Sequence, residues 1–147
     1  ITGGGSAVER EFGAQITRIL ASEGLPVTDV VGKTDLKVLM ALMKRAVVVL
    51  APDSGPVHMA VAAGTPVLGL YAGSNPDRTG PVLGRQWVIN AYPDAVAKAF
   101  GRSVDEIRWG RRVRDPAVMD LITAEMVTDR LDQLLATPVE KRLDSLP

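Results

Sequence analysis

Residues 46–71 read AVVVLAPDSGPVHMAVAAGTPVLGLY. The first six, AVVVLA, form a continuous, mostly β-branched run of the kind found in parallel strands covered on both faces. PVLGLY at 66–71 is a second buried strand, and the alanine-rich segment between them is short, helical and small enough to lie close against a sheet. Strand, helix, strand in this order predicts a right-handed βαβ unit, and with it a doubly wound α/β fold. The turn that joins the first strand to the helix is Asp53-Ser54-Gly55-Pro56, and His58, the single histidine of the chain, follows it. Ligands of open α/β sheets sit at the carboxyl ends of strands, so this turn is the first place to look for a site.

Outward from this unit the same alternation continues. On the N-terminal side, residues 7–23 carry Val8, Phe12, Ile16, Ile19 and Leu20 at helical spacing, and Gly24 ends the helix. Residues 26–31 make a short β-branched run, Gly32 and Thr34 supply a turn and a helix N-cap, and Leu36, Leu39, Met40 and Met43 give the following helix one buried face. The methionines of that stripe are core side chains. On the C-terminal side, residues 87–89 are a further strand, 93–100 a helix, and 123–135 an amphipathic helix with Thr123 at its N-cap and Met126, Val127, Leu131, Leu134 and Leu135 on one face. The domain is read as residues 1–136, with a polar, frayed tail at 137–147. ITGGGS at the start resembles the end of a strand and its turn, so further chain is expected before it.

Composition narrows the function. Of 147 residues, 46% are hydrophobic, enough for one core. Seventeen basic and seventeen acidic residues cancel, which removes the broad positive field of a general nucleic-acid binder. Without cysteine there is neither a disulfide framework nor cysteine-ligated zinc. The longest apolar run is far too short to cross a bilayer. No metal or organic cofactor is expected.

At the turn itself, Ser54 is placed to cap the helix, and Pro56 falls in its first turn, where a missing N–H costs nothing. The N–H groups of Gly55 and Val57, with the positive end of the helix dipole, would make a small anion site. Glycine at 55 leaves room for a ligand to approach the backbone. Ser54 and His58 are four residues apart, neighbours on one helical face, so hydroxyl and imidazole could both donate to one phosphate. On the residues alone, His58 is evenly divided between this role and that of a structural hydrogen-bonding side chain.

The surrounding pattern is more specific. DSGPVHMAVAAGTPVLGLY resembles the Asp-Ser/Thr-Gly-Pro-x-His-x-Ala-x-Ala-x-Gly-x-Pro signature of the heptosyltransferases, glycosyltransferases that build the inner core of bacterial lipopolysaccharide. VGKTDLKVLMALMKRAVVVLA resembles the run leading into the same strand, and ITGGGSAVEREFGAQI resembles the glycine-rich turn and acidic helix of that family. The likeness covers residues 1–90 well and is looser beyond.

This resemblance implies a GT-B fold, two Rossmann-like domains facing each other across a cleft, with the present chain as most of the C-terminal, donor-binding half: a three-layer α/β domain with a mostly parallel sheet. It implies that Ser54, Gly55 and His58 bind the diphosphate of a nucleotide sugar, that Asp53 contacts the sugar, and that Glu9 hydrogen-bonds the ribose or base. Read without the resemblance, Glu9 is equally a solvated charge suited to the helix dipole. The implied activity is inverting transfer of heptose from ADP-heptose to a lipopolysaccharide inner-core acceptor, a lipid-linked oligosaccharide. The general base would come from the N-terminal domain, so this chain alone is expected to be inactive. The location implied is cytoplasmic, extending to a peripheral place at the inner face of the inner membrane.

Two departures bear on the donor. Ser54 stands where many members have threonine, and LYAGSNP puts Ala72 at a usual glycine. A glycosyltransferase using another nucleotide sugar and a non-catalytic nucleotide-binding α/β domain both remain open. Arg108, Arg111, Arg112 and Arg114, with Trp109, divide between an acceptor-phosphate or membrane-surface patch and a solvated or salt-bridged face, the second being favoured.

Overall fold

A computed structural model describes residues 1–144. The chain forms two compact units, one over residues 1–42 and one from Met43 onward.

The first unit is built around helix α1 (Ala7–Ser22). Its N-terminus is a capping box: Ser6 Oγ accepts from Glu9 N, and the Glu9 carboxylate reaches back to Ser6 N. The residues before α1 and those of 28–32 lie side by side as short parallel extended segments. Ile1 N donates to Thr28 O at 2.6 Å, Val30 N to Ile1 O at 2.9 Å and Gly32 N to Gly3 O at 3.1 Å. The predicted strand at 26–31 is thus present as a hydrogen-bonded extended segment, too short to become a regular ladder. Gly13 is the buried residue of α1, and a Cβ there would lie 3.0 Å from Val31 Cγ2, so helix and extended segment touch through a glycine. The apolar stripe expected to be buried is not: Val8, Phe12, Ile16 and Ile19 are exposed. Periodicity found the helix and its apolar face, but the unit's internal packing runs through Gly13 on another side.

Helix α2 (Leu36–Arg45) follows. Its cap is Asp35 rather than Thr34, because Asp35 Oδ1 accepts from Val38 N at 2.8 Å. Met43 is buried and Leu36 is exposed, so the predicted face is sealed at its C-terminal end only.

The second unit holds a parallel sheet in the order β1-β2-β3, comprising β1 (Val49–Pro52), β2 (Val67–Tyr71) and β3 (Ile89–Asn90). Val49 pairs with Val67 and Leu70 with Ile89. The helix α3 (Gly55–Ala62) crosses between β1 and β2 and packs on both, the predicted βαβ unit. Val57 and Ala60 supply its fully buried face, and their small size lets the helix settle close to the sheet. Thr65 Oγ1 donates to Met43 O at 2.7 Å and anchors the return into β2.

Of the strands, β2 is central and buried. β1 is an edge strand with Ala51 buried and Leu50 more than half exposed, so one of its faces is open, which corrects the expectation of a strand covered on both faces. β3 begins two residues later than predicted because Arg85–Trp87 form a 3-10 turn.

After a short helix α4 (Pro76–Thr79), helix α5 (Tyr92–Phe100) builds a second cluster from Tyr92, Ala95, Val96 and Val113, flanked by Phe100, Val118 and Leu121. The last helix, α6 (Ala124–Ala136), is capped by Thr123 as read from sequence. It faces the core through Leu134, with Val127 and Leu131 half-buried, while Met126 and Leu135 of the predicted face are exposed. The segment read as a frayed tail is held as far as it is described. Arg142 donates to Thr137 O and Leu135 O at 2.8 Å each, and Trp87 Nε1 donates to Arg142 O at 2.7 Å. Residues 145–147 of that tail lie outside the described residues.

Candidate functional site

The carboxyl ends of β1 and β2 open on the same side of the parallel sheet, and the chemistry-bearing residues of the second unit gather there. Asp53 is the first residue past β1. Its Oδ2 accepts from Arg112 Nη2 at 3.3 Å, a pair that links positions 59 residues apart. The Asp53 side chain is only 16% exposed, so the guanidinium and the strand end hold it in place, while Oδ1 has no protein partner among the described residues.

Ser54 occupies the N-cap position of α3 with extended backbone, as expected, but its hydroxyl does not cap the helix. Instead Ser54 Oγ donates to Pro52 O at 2.9 Å. The predicted pair of open N–H groups is also reduced, because Val57 N donates to Ser54 O at 3.1 Å. Gly55 N–H is left without an acceptor among the described residues. A Cβ at Gly55 would meet nothing within 4 Å, and this glycine is not among those with positive φ. Neither packing nor backbone conformation therefore calls for glycine here, and the space in front of the turn is open.

His58 lies one turn into α3, exposed, and makes no hydrogen bond within the described chain. The structural reading of the lone histidine, a buried side chain satisfied by protein, does not describe it.

Behind Asp53 is a cavity of about 410 Å³, lined by Asp53, Gly73, Ser74, Arg112 and Arg114 among others. Asp53 lines it; Ser54, Gly55 and His58 do not, so the predicted residues divide into a pocket side and an open helix-start side. Ser74 follows from the loop after β2, and its neighbour Asn75 caps α4, accepting from Asp77 N at 2.9 Å. Gly73 is tight, since a Cβ would sit 3.0 Å from Val113 O, and Val113 N donates to Gly73 O at 2.9 Å. Ser74 was not picked out by sequence, although the strand-end turn GSN was an available signal; Arg112 was read there only as part of the arginine cluster, and nothing local ties it to Asp53.

Tyr71, the last residue of β2, donates its hydroxyl to Thr79 O at 3.2 Å. Burial pushes its phenol up to about 12, and the nearby Asp53 carboxylate adds to the effect. A carboxylate beside a phenol in a partly dry strand end favours the neutral tyrosine.

Glu9 belongs to the first unit and is engaged locally. Its Oε1 accepts from Gly4 N at 2.7 Å, and Oε2 accepts from Ser6 N and Ser6 Oγ. The Ser6 hydroxyl first, then the backbone N–H groups of Gly4 and Ser6, hold its carboxyl below the usual range. A Cβ at Gly4 would come within 2.7 Å of Glu9 Oε2, so the glycine-rich turn is shaped around this carboxylate.

Among the described residues, no helix is long and apolar enough to cross a membrane, and no group of three or more His, Cys, Asp or Glu could hold a metal ion.

Residues 1–105 match the sequence profile of glycosyltransferase family 9 (heptosyltransferase). The chain belongs to glycosyltransferase family 9. It is 40% identical over 107 residues to the lipopolysaccharide core heptosyltransferase OpsX of Haemophilus influenzae, covering 73% of this chain and 31% of that protein. It is 28% identical over 135 residues to lipooligosaccharide heptosyltransferase 2 of the same organism, covering 90% of this chain and 36% of the relative. The chain therefore spans about a third of the length of these relatives. A crystal structure of a family 9 glycosyl transferase from Veillonella parvula superposes with a TM-score of 0.52 at 21% identity, over 91% of this chain and 36% of the other, a likeness of fold. The family read from residues 52–71, and the α/β class with its parallel sheet, are borne out.

Proposed function

We propose that the chain is the nucleotide-sugar-binding part of a family 9 enzyme, over residues 1–136, and that the full-length protein moves heptose from ADP-heptose to an inner-core lipopolysaccharide acceptor with inversion at the anomeric carbon. The observation that carries this reading is the state of the Asp53–His58 turn, in which, among the described residues, Gly55 N–H and the exposed imidazole have no partner and the space before the turn is open.

A diphosphate at the start of α3 would accept from Gly55 N–H and His58 and lie at the positive end of the helix dipole. The Ser54 hydroxyl, at present donating to Pro52 O, would turn to the phosphate. The sugar would then reach the cavity behind Asp53, where Oδ1 accepts from a sugar hydroxyl. In the reaction, the acceptor hydroxyl oxygen bonds to the anomeric carbon as the bond from that carbon to the diphosphate oxygen breaks. The electron pair leaves with the nucleoside diphosphate and the proton passes to a general base. Negative charge grows on the departing diphosphate, which is what the helix start and His58 are placed to stabilise.

The base is assigned to an N-terminal domain of the full-length protein, so the chain by itself is expected to bind donor without turnover. Its place of action would be the cytoplasm, at the inner face of the inner membrane. Glu9 is kept as a ribose or base contact in this proposal only on the family pattern, since its carboxylate already serves the capping box.

Calorimetric titration with ADP, UDP and GDP tests the reading. ADP is expected to bind best, and His58→Ala to weaken it by about 1–3 kcal/mol through loss of the imidazole–phosphate hydrogen bond. Preference for UDP or GDP would keep the glycosyltransferase and change the sugar nucleotide. Failure of all three to bind would remove the donor site.

A further inference from the structure

Five arginines, Arg78, Arg108, Arg111, Arg112 and Arg114, surround a cavity of about 430 Å³ in the second unit, and among the described residues no carboxylate lines it. Gathering this much like charge is unfavourable unless the charges are neutralised. Within the described residues the neutralisation is slight: Arg112 bonds Asp53 at 3.3 Å, and none of the other four has a carboxylate within salt-bridge distance. Arg108 and Arg114 donate no hydrogen bond to the described chain, and Arg111 lies over the Phe100 ring at 4.1 Å. Of the solvated or salt-bridged face favoured on sequence, the solvated form is what the described residues show: Arg108, Arg111, Arg112 and Arg114 are exposed, and Arg112 alone of them has a carboxylate partner there.

The backbone beneath the arginines is fixed at three points. Arg78 Nη1 donates to Gly110 O at 3.2 Å, the Tyr92 hydroxyl donates to Arg111 O, and Val113 N donates to Gly73 O. Gly110 has φ +69° and a Cβ there would lie 2.5 Å from Arg78 Cδ, so only glycine lets Arg78 come this close. A loop whose carbonyls are engaged, and in which the Arg108 and Arg114 guanidinium groups have no partner among the described residues and Arg111 meets only the Phe100 ring, is arranged to present cations to something else. Guanidinium forks match phosphate oxygens in pairs, which makes arginine the side chain for this task.

The basin shares Arg112 and Arg114 with the cavity behind Asp53, so a ligand in one adjoins a ligand in the other.

We propose that this basin binds a phosphate monoester carried by a sugar, as a site separate from the start of α3. It does not rest on the identity of the donor, only on a saccharide ligand meeting the strand ends. The test uses the full-length protein and glucose 6-phosphate as probe, with glucose, inorganic phosphate, ADP and vesicles of phosphatidylglycerol in parallel titrations. Arg108→Gln and Arg111→Gln are the variants, because neither residue lines the cavity behind Asp53. Arg108→Lys, which keeps the charge, controls for loss of fold, together with the thermal midpoint of each variant. The expected result is binding of glucose 6-phosphate but not glucose, weakened about tenfold or more by each glutamine variant and less by lysine, with ADP affinity unchanged. Equal affinity in variants and wild type, loss of ADP binding in step with glucose 6-phosphate, or binding confined to inorganic phosphate or to vesicles would each overturn it.

Discussion

Replacing Gly55 by alanine separates what the turn needs for folding from what it needs for binding. Gly55 is the first residue of α3, its φ is not in the left-handed region, and an added Cβ meets nothing within 4 Å. The substitution therefore introduces no strain and no clash, while it removes conformational freedom from the unfolded chain. Stability is expected to rise by about 0.4–1 kcal/mol. Binding should move the other way. A phosphate oxygen accepting from Gly55 N–H must come within ~2.9 Å of the nitrogen, and the new methyl group occupies space on the same open side. A lost hydrogen bond to a charged group costs about 1.5–3 kcal/mol, or roughly 10- to 150-fold in affinity for ADP. Urea denaturation gives the first quantity and calorimetry the second, on the same preparations. An alanine variant that is more stable and binds ADP as tightly as wild type would refute the claim that a diphosphate approaches the backbone here.

Two further outcomes follow from the buried phenols. Tyr71 has its folded pKa raised to about 12, so folding favours the neutral form; its contribution to stability is complete below the unfolded value of about 10 and is lost as pH rises through about 12. A tyrosinate absorbance titration compared with Tyr71→Phe checks this, and ionisation near the free-tyrosine value would contradict the burial of the phenol at the strand end. Tyr92→Phe removes the hydroxyl that donates to Arg111 O, at an expected cost of about 1 kcal/mol by urea denaturation, and an unchanged midpoint would mean that the arginine loop is held by its other two ties alone.

Much of the fold was legible in residues 46–71 because the information there is local. A β-branched run, a small-residue helix with proline in its first turn and a second apolar run each follow from backbone sterics and side-chain size. Helix ends were equally local, as at Thr123, whose hydroxyl accepts from Met126 N. What could not be read was which apolar face is covered. The α1 stripe of Val8, Phe12, Ile16 and Ile19 has the right spacing, yet exposure depends on what lies against a helix, and periodicity carries no such term. The frayed tail was misread for a related reason, since composition shows polarity and not that Trp87 Nε1 has a carbonyl to find in Arg142.

The site divides along the same line. Asp53, Ser54, Gly55 and His58 are close in sequence, so their juxtaposition was visible; Arg112 reaches Asp53 across 59 positions and was not. That pair also shows what sets the geometry of the strand ends. Arg112 is 58% exposed, and a pair so open to water contributes at most about 1 kcal/mol, too little to hold a seven-residue loop of arginines against its own repulsion. The loop must instead be held by the neutral ties below it, Val113 packed among Tyr92, Ala95 and Val96 and its N–H bonded to Gly73 O. With the loop placed by that core, the Arg112 guanidinium is free to hold Asp53 through Oδ2 at the edge of the cavity that both residues line. The same apolar cluster that stabilises α5 thereby sets where the Asp53 carboxylate is held at the end of β1.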